Sequence, residues 1–515
     1  MGIPSFYRHL CRKFPKLITQ GSGPRPEWLC LDFNCAMYYV LRKMPPVGSS
    51  VASWERDFCK EIAAYMEELV VTAQPLKGVY VSCDGVVCAA KRKQQRLRRF
   101  KGPWAAAQEA AVRAAAGGPA ICEERQSGWD QNALTPGSAF MDQLGGVLTS
   151  AGARLGKRTG LAVEVSTTAE GGEGEHKLLR RMREVRPASC TIYGLDADLI
   201  LLAMLLGAET GADVRLLREA QEFEGNAGGF RTLETGTLAS VLVGGDGRRI
   251  RDYVACMSLL GNDFLPRSLT ITVRDDGIPR LIATLETVWA KGLHVVDSEG
   301  FLSRAGLLAV LEGWAGSQEE DMRIAVQNAA KIAGRPAGIG VSPAETAMRE
   351  WNAQPARWNS MGLLMGSHGA LRKDWQNIYR SVWRAGSAED YIKGLAWTWD
   401  YYAGRTVDQG WYFREHLPPL WSDVVTALRA SGDDVIAGPP VVNTTPLPDW
   451  LHLLSVLPRE SVRRLLPPAR QQYMDRSPWY WPSSWSLFDI GRTQMWECEP
   501  VIPVIPERIL RGWCL

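Results

Sequence analysis

The stretch "TIYGLDADLILLAML", residues 191–205, sets two aspartates, Asp196 and Asp198, into an otherwise apolar run. Thr191 to Leu195 is β-prone with a single glycine, whereas Leu199 to Leu206 consists of Leu, Ile, Ala and Met, all compatible with a helix. The two aspartates therefore stand at a strand-to-helix joint. In open α/β sheets ligands bind outside the carboxyl ends of the strands, so carboxylates at such a joint are well placed for chemistry. An Asx turn or helix N-cap would account for one of them and leave the other unexplained.

The same grammar recurs in both directions along the chain. Asp32 ends "LCLD", Asp84 ends "VYVSCD", "EGGEGEHKLLRRMREV" carries Glu173 and Glu175 to a helix start behind a further strand, and "ACMSLLGNDFLP" places Asp263 in a loop behind an apolar helix. β-prone runs at 27–34, 77–85, 160–168, 189–198 and 212–219 alternate with helical ones, including an Ala-rich helix over 105–118, which predicts an α/β fold with a largely parallel central sheet flanked by helices. Parallel strands bring their carboxyl ends to one edge, and there seven carboxylates would converge. Like charges about 4–6 Å apart raise one another's pKa, a conflict that hard divalent cations resolve. Oxygen-only ligands, with no paired His or Cys expected nearby, favour Mg²⁺ or Mn²⁺ over zinc. Two such ions about 3.5–4 Å apart are an arrangement that hydrolyses phosphodiesters.

Seven residues beyond Asp84 begins "KRKQQRLRRFK" (91–101), in which seven of eleven residues are Lys or Arg. As a helix it sets Lys91, Gln95, Arg98 and Arg99 on one face, a convergent grip for phosphate. The competing reading of such a run is a solvated basic face. The net charge of only +3 gives no global sign of a nucleic-acid partner, so any basic site must be local. Eleven cysteines without C-x-x-C spacing suggest reduced thiols inside a cell. No run reaches the roughly 18 apolar residues of a membrane span, and "MGIPSFYRHL" lacks the apolar core of a signal peptide. The expected organisation is an N-terminal region over 1–285 with the acids and basic helix, a connecting segment over 286–370 containing the Gly/Pro-rich "AGRPAGIGVSP", and a mostly helical, aromatic-rich region over 371–515 packed on the first.

These motifs together resemble the XRN family of 5′-to-3′ exoribonucleases. The resemblance rests on "MGIPSFYRHLCRKFP", "LDFN", "CDGVVCAAKRKQQRLRRFK", "NALTPGSAFM", "GGEGEHK", "IYGLDADLI" and "LLGNDFLP", and returns late in "GLAWTWDYYAG", "PLPDWLHLLSVLP" and "MWECEPVIPVIPERIL". It implies a fold like that of PIN and flap nucleases and processive hydrolysis of single-stranded RNA bearing a 5′-monophosphate, with two Mg²⁺ ions. By motif, the metal-site acids fall on Asp32, Asp84, Glu173, Glu175, Asp196, Asp198 and Asp263, and the 5′-phosphate pocket on Lys91, Gln95, Arg98 and Arg99. Trp411, in "DQGWYFREHLPPLWSDV", is the implied stacking partner of the terminal base, facing Tyr38 where the family has a histidine; "YFREHL" departs from the family's aromatic wall. The implied setting is decapped-mRNA turnover by a cytoplasmic monomer, downstream of a decapping factor that the residues do not name. The alternatives are a flap-type DNA nuclease and a catalytically impaired RNA-binding scaffold.

Overall fold

In the computed structural model, residues 3, 6–118, 128–220 and 228–514 are described; residues 1, 2, 4 and 5 of the opening motif lie outside them. Seven strands, β1 (Ile18–Gln20), β2 (Trp28–Asp32), β3 (Gly78–Ser82), β4 (Ala162–Ser166), β5 (Ser189–Tyr193), β6 (Asp213–Glu219) and β7 (Phe230–Glu234), form one sheet in the order β1-β7-β6-β5-β2-β3-β4. The five strands β6-β5-β2-β3-β4 run parallel, and β7 and β1 close one edge antiparallel. The parallel core matches the sequence expectation. The two antiparallel edge strands are additions to it, one of them only three residues long.

Both faces of the sheet are covered, which is why β2 and β3 are buried along their whole length instead of alternating with polar residues. Trp28, Cys30, Tyr80, Cys190 and Ile192 point into one apolar layer with Phe6, Leu10 and the helix Asp198–Thr210. Leu29, Leu31, Val79, Val81 and Tyr193 point into the other, with the helices Val51–Ala73 and Ala139–Thr159. The first layer continues through Leu395, Trp397 and Tyr402 of the helix Ala388–Tyr402 to Ile436, so distant parts of the chain share one core.

The basic run and the Ala-rich run form one helix, Ala89–Ala115, rather than the two suggested by the intervening "GP". Pro103 lies inside it, removing one backbone hydrogen bond and crowding the preceding turn. The helix continues through that point, and packing flanks it. Leu97 and Phe100 join an apolar cluster with Leu451, Leu453 and Leu454 of the helix Asp449–Val456, and Trp104 lies 5.1 Å from Trp485 and 6.5 Å from Trp351 between ring centroids. Among the described residues, no helix is long and apolar enough to cross a membrane.

Candidate metal centre and phosphate-binding helix

β5, β2 and β3, adjacent in the sheet, deliver Asp196 and Asp198, Asp32, and Asp84 to one edge. Neither aspartate of the "LDAD" joint caps the helix that follows: its N-cap is Ala197, and no side chain caps it. The Asx and N-cap explanation therefore fails for Asp198, whose Oδ1 is buried without a hydrogen-bond partner. Glu173 stands at the N-cap of Gly174–Val185, likewise with no side-chain capping bond. The backbone N–H of Gly174 instead donates to Asp84 Oδ1 at 2.7 Å, while Asp84's own N–H donates to Asn34 Oδ1 at 3.0 Å. A Cβ on Gly174 would come within 2.9 Å of Asp32 Oδ1 and 3.0 Å of the Ser82 carbonyl. The glycine between Glu173 and Glu175 is thus what lets this helix start approach the ends of β2 and β3.

All seven predicted acids meet here. Asp32, Glu173, Glu175 and Asp198 are buried, whereas Asp84, Asp196 and Asp263 are half-buried. Burial, then the charges of Asp84 and Asp196, pushes the Asp32 carboxyl far above its usual range. Burial followed by Asp198 and Glu173 does the same to Glu175, and burial followed by Asp263 moves Asp198 up to about 7. Lys91 is the ammonium inside the cluster. It pairs with Asp263 at 2.9 Å and with Glu173, and although burial opposes its charge, Asp263, Glu173 and Glu175 outweigh that penalty and keep it protonated. Among the described residues the cations acting on the seven carboxylates, Lys91 foremost and Arg98 on Asp196, are fewer than the carboxylates, and the buried Asp198 Oδ1 is an acceptor with no donor. Both features fit divalent cations held by oxygen ligands.

Three residues of the site were not singled out by the sequence reading. His176 joins Glu173 and Glu175 in a group whose ligand atoms all lie within 4.8 Å of one another, which corrects the expectation of a surround without histidine. Its ring lies 4.0 Å from that of Tyr401, and burial followed by the Lys91 charge lowers its pKa to about 3. Tyr401 donates to Glu173 Oε1 at 2.7 Å, and Tyr402 packs beside it with a buried, unpartnered hydroxyl. The histidine was readable as the residue after "GEGE"; the tyrosines come from a helix more than 200 residues away.

The basic helix divides its cations between two uses. Arg92 pairs with Glu507, Lys93 donates to the carbonyls of Phe413 and Arg414, Arg96 to those of Ser455, Tyr480 and Pro503, and Lys101 to those of Met495, Trp496 and Cys498. On the face predicted to hold phosphate, Lys91 is turned into the acid cluster and Arg98 is exposed, lining a groove of about 610 Å³ with Gln94 and Asp263. Gln95 Oε1 and Arg99 Nη1 are buried without hydrogen-bond partners. Burial lowers Arg99 to about 10, and Tyr38, Asp84 and Asp130 are close enough for their charges to oppose that shift. Half-buried Tyr38 thus sits beside the basic helix. Trp411 is half-buried too, packed on Gly394 and tilted 34° against Trp397 at 5.1 Å, while Trp397 stacks on Tyr401.

A mostly parallel α/β sheet whose carboxyl edge gathers seven carboxylates, flanked by a basic helix with the unpartnered donor Arg99 Nη1, defines an acid-cluster fold. Residues 1–220 match the family described as XRN 5′-3′ exonuclease N-terminus. The relatives it matches include proteins named 5′-3′ exoribonuclease 2 from Candida albicans (30% identical over 371 residues, 58% of this chain and 37% of the relative), Yarrowia lipolytica (28% over 395, 62% and 38%) and Saccharomyces cerevisiae (28% over 402, 62% and 39%). The chain therefore spans well under half the length of these relatives. Two solved phage structures, one co-crystallised with metal ions and one titled a flap endonuclease complex with DNA and metal ions, overlap 73% of this chain at 9% and 10% identity with TM-scores of 0.27 and 0.28.

Proposed function

We propose that the chain is a 5′-to-3′ exoribonuclease that removes nucleotides processively from single-stranded RNA bearing a 5′-monophosphate. The observation that carries the reading is the juxtaposition of the acid cluster with the unpartnered donor Arg99 Nη1 and the exposed Arg98 on the helix that also supplies Lys91. Asp32, Asp84, Glu173, Glu175, Asp196, Asp198 and Asp263 would hold two Mg²⁺ ions, with Mn²⁺ able to substitute. When bound, these ions supply Lewis acidity and charge neutralisation at a phosphodiester.

The chain's own residues fix which bond is presented. Gln95, Arg98 and Arg99 hold the terminal phosphate by hydrogen bonds to charged oxygens, the stronger kind. Lys91 bridges the two halves of the site through Glu173 and Asp263, keeping the phosphate-binding helix at a set distance from the acids. Tyr38 and Trp411 offer aromatic faces for the first base, worth about 1–3 kcal/mol and indifferent to sequence. An anchored 5′ end and a fixed cluster together make cleavage stepwise from that end. RNA with such ends is produced by decapping, which places a decapping reaction upstream.

The decisive assay incubates the protein with Mg²⁺ and a 3′-labelled single-stranded RNA carrying either a 5′-monophosphate or a 5′-hydroxyl. Rapid loss of the phosphorylated RNA without intermediates is expected. Equal rates on both ends would remove the phosphate pocket, and faster processing of branched DNA would reassign the protein to flap-type cleavage.

A further inference from the structure

His452 is fully buried, and neither ring nitrogen has a hydrogen-bond partner. Its helix, Asp449–Val456, packs along the basic helix: Arg96 Nη1 donates to the Ser455 carbonyl at 2.7 Å, one turn beyond His452, and Leu451, Leu453 and Leu454 share an apolar cluster with Leu97 and Phe100. His452 is close enough to Arg99 and Arg92 for both charges to act on its ring. Arg92 is occupied by Glu507, whereas Arg99 keeps a buried, unpartnered Nη1 and neighbouring Gln95 an unpartnered Oε1. A buried donor without a partner is costly, so Arg99 Nη1 and the His452 ring, on two packed helices more than 300 residues apart, mark a place where an acceptor binds.

We propose that His452 is a further member of the 5′-phosphate pocket, donating a ring N–H to a terminal phosphate oxygen alongside Arg99. This inference rests on the phosphate-pocket reading above. The choice of histidine follows from charge. Lys91, Arg98 and Arg99 already crowd three cations onto this side of the helix, and a fourth would add repulsion. Burial, then the charges of Arg99 and Arg92, drives the His452 pKa well below its ordinary value and keeps the ring neutral. A neutral imidazole contributes a directional donor without another positive charge.

The test compares rates on 5′-monophosphate and 5′-hydroxyl RNA for the intact chain, His452→Leu and His452→Gln. His452→Leu is expected to lower the phosphate-to-hydroxyl preference about 10- to 100-fold, the loss of one hydrogen bond to a charged group. His452→Gln, which keeps a side-chain N–H, should retain most of the preference. A merely structural histidine would alter thermal stability and leave the ratio alone, so a ratio within about twofold of wild type in folded His452→Leu overturns the proposal. If the wild-type chain has no phosphate preference, the pocket reading itself falls, an outcome distinct from failure at His452 alone. Should His452→Leu fail to fold, the ring-proton resonance of His452 in the wild-type chain, assigned by its loss in His452→Gln, provides the second readout. It should move on titration with a 5′-phosphorylated dinucleotide and stay in place with the 5′-hydroxyl form; equal movement or none overturns the proposal.

Discussion

Arg96 and Arg99 lie three residues apart on one helix, the first buried and the second half-buried with its Nη1 enclosed, and burial lowers them to about 9 and about 10. Arg96 donates to three carbonyls from the last third of the chain, whereas Arg99 leaves an Nη1 with nothing to donate to. The difference shows that the charge of a basic run says little about its use. What separates a structural tie from a binding donor is whether the surrounding fold has already supplied acceptors. By that criterion Arg92, Lys93, Arg96 and Lys101 hold the molecule together, and Arg99 is the cation proposed above to meet the phosphate.

The sharpest test at the acid end of this contrast is Asp198→Ala. It removes a buried carboxylate with a free oxygen, and it should lower RNA cleavage by about 10³-fold or more while leaving RNA binding largely intact. Full activity in single-turnover assays would remove Asp198 from the metal set. Arg99→Met should next reduce the preference for 5′-monophosphate over 5′-hydroxyl ends by about 10²-fold, with little loss of thermal stability. Arg96→Met should do the reverse: stability falls by about 2–4 kcal/mol because three carbonyls lose their donor, and the end preference is kept in whatever fraction folds. Denaturant melts of the two variants beside their rate ratios would erase the comparison if both behaved alike.

Metal dependence gives a smaller effect with a defined sign. Burial and the charge of Asp263 push Asp198 up to about 7 in the folded chain against an ordinary value of 3.8, so the metal-free protein binds that proton more tightly than the unfolded chain does. Its contribution is therefore fully present below 3.8 and is lost as pH rises through about 7. Saturating Mg²⁺ should raise Tm by about 2–4 °C, and more at pH 8 than at pH 5.5, because it compensates the carboxylates that have ionised. A shift that is equal at both pH values would count against the cluster as the binding place. Smallest of all, Trp411→Ala should shorten processive runs about threefold, read from product lengths on a long RNA, since Trp397 and Gly394 already occupy part of its surface.

The parallel sheet and the convergence of seven acids were legible because both are local patterns: an apolar β-prone run, then a carboxylate, repeated along the chain. Two things were not. The edge strands β1 and β7 are short and gain their identity only by pairing across more than 200 residues, Ile18 against Leu233. The state of each cation on the basic helix was equally hidden, since the acceptors for Arg96 come from residues 455, 480 and 503 and the partner of Arg92 is Glu507. Lys91 shows the same limit from the other side. Its helical face was read correctly, but its ammonium turns to Glu173 and Asp263, which no spacing within the run could reveal.

The ties that run from Arg92, Arg96 and Lys101 to residues between 455 and 507 also impose a timetable on the nascent polypeptide. A ribosome finishes every one of the seven acids by residue 263, yet the helix beside them cannot bury its guanidinium groups until their acceptors have been made. At about 5–20 residues per second, that is a wait of order ten seconds to a minute. Throughout that wait Lys91 already has Glu173 and Asp263, while Arg92, Arg96 and Lys101 lack the partners that hold the rest of the helix.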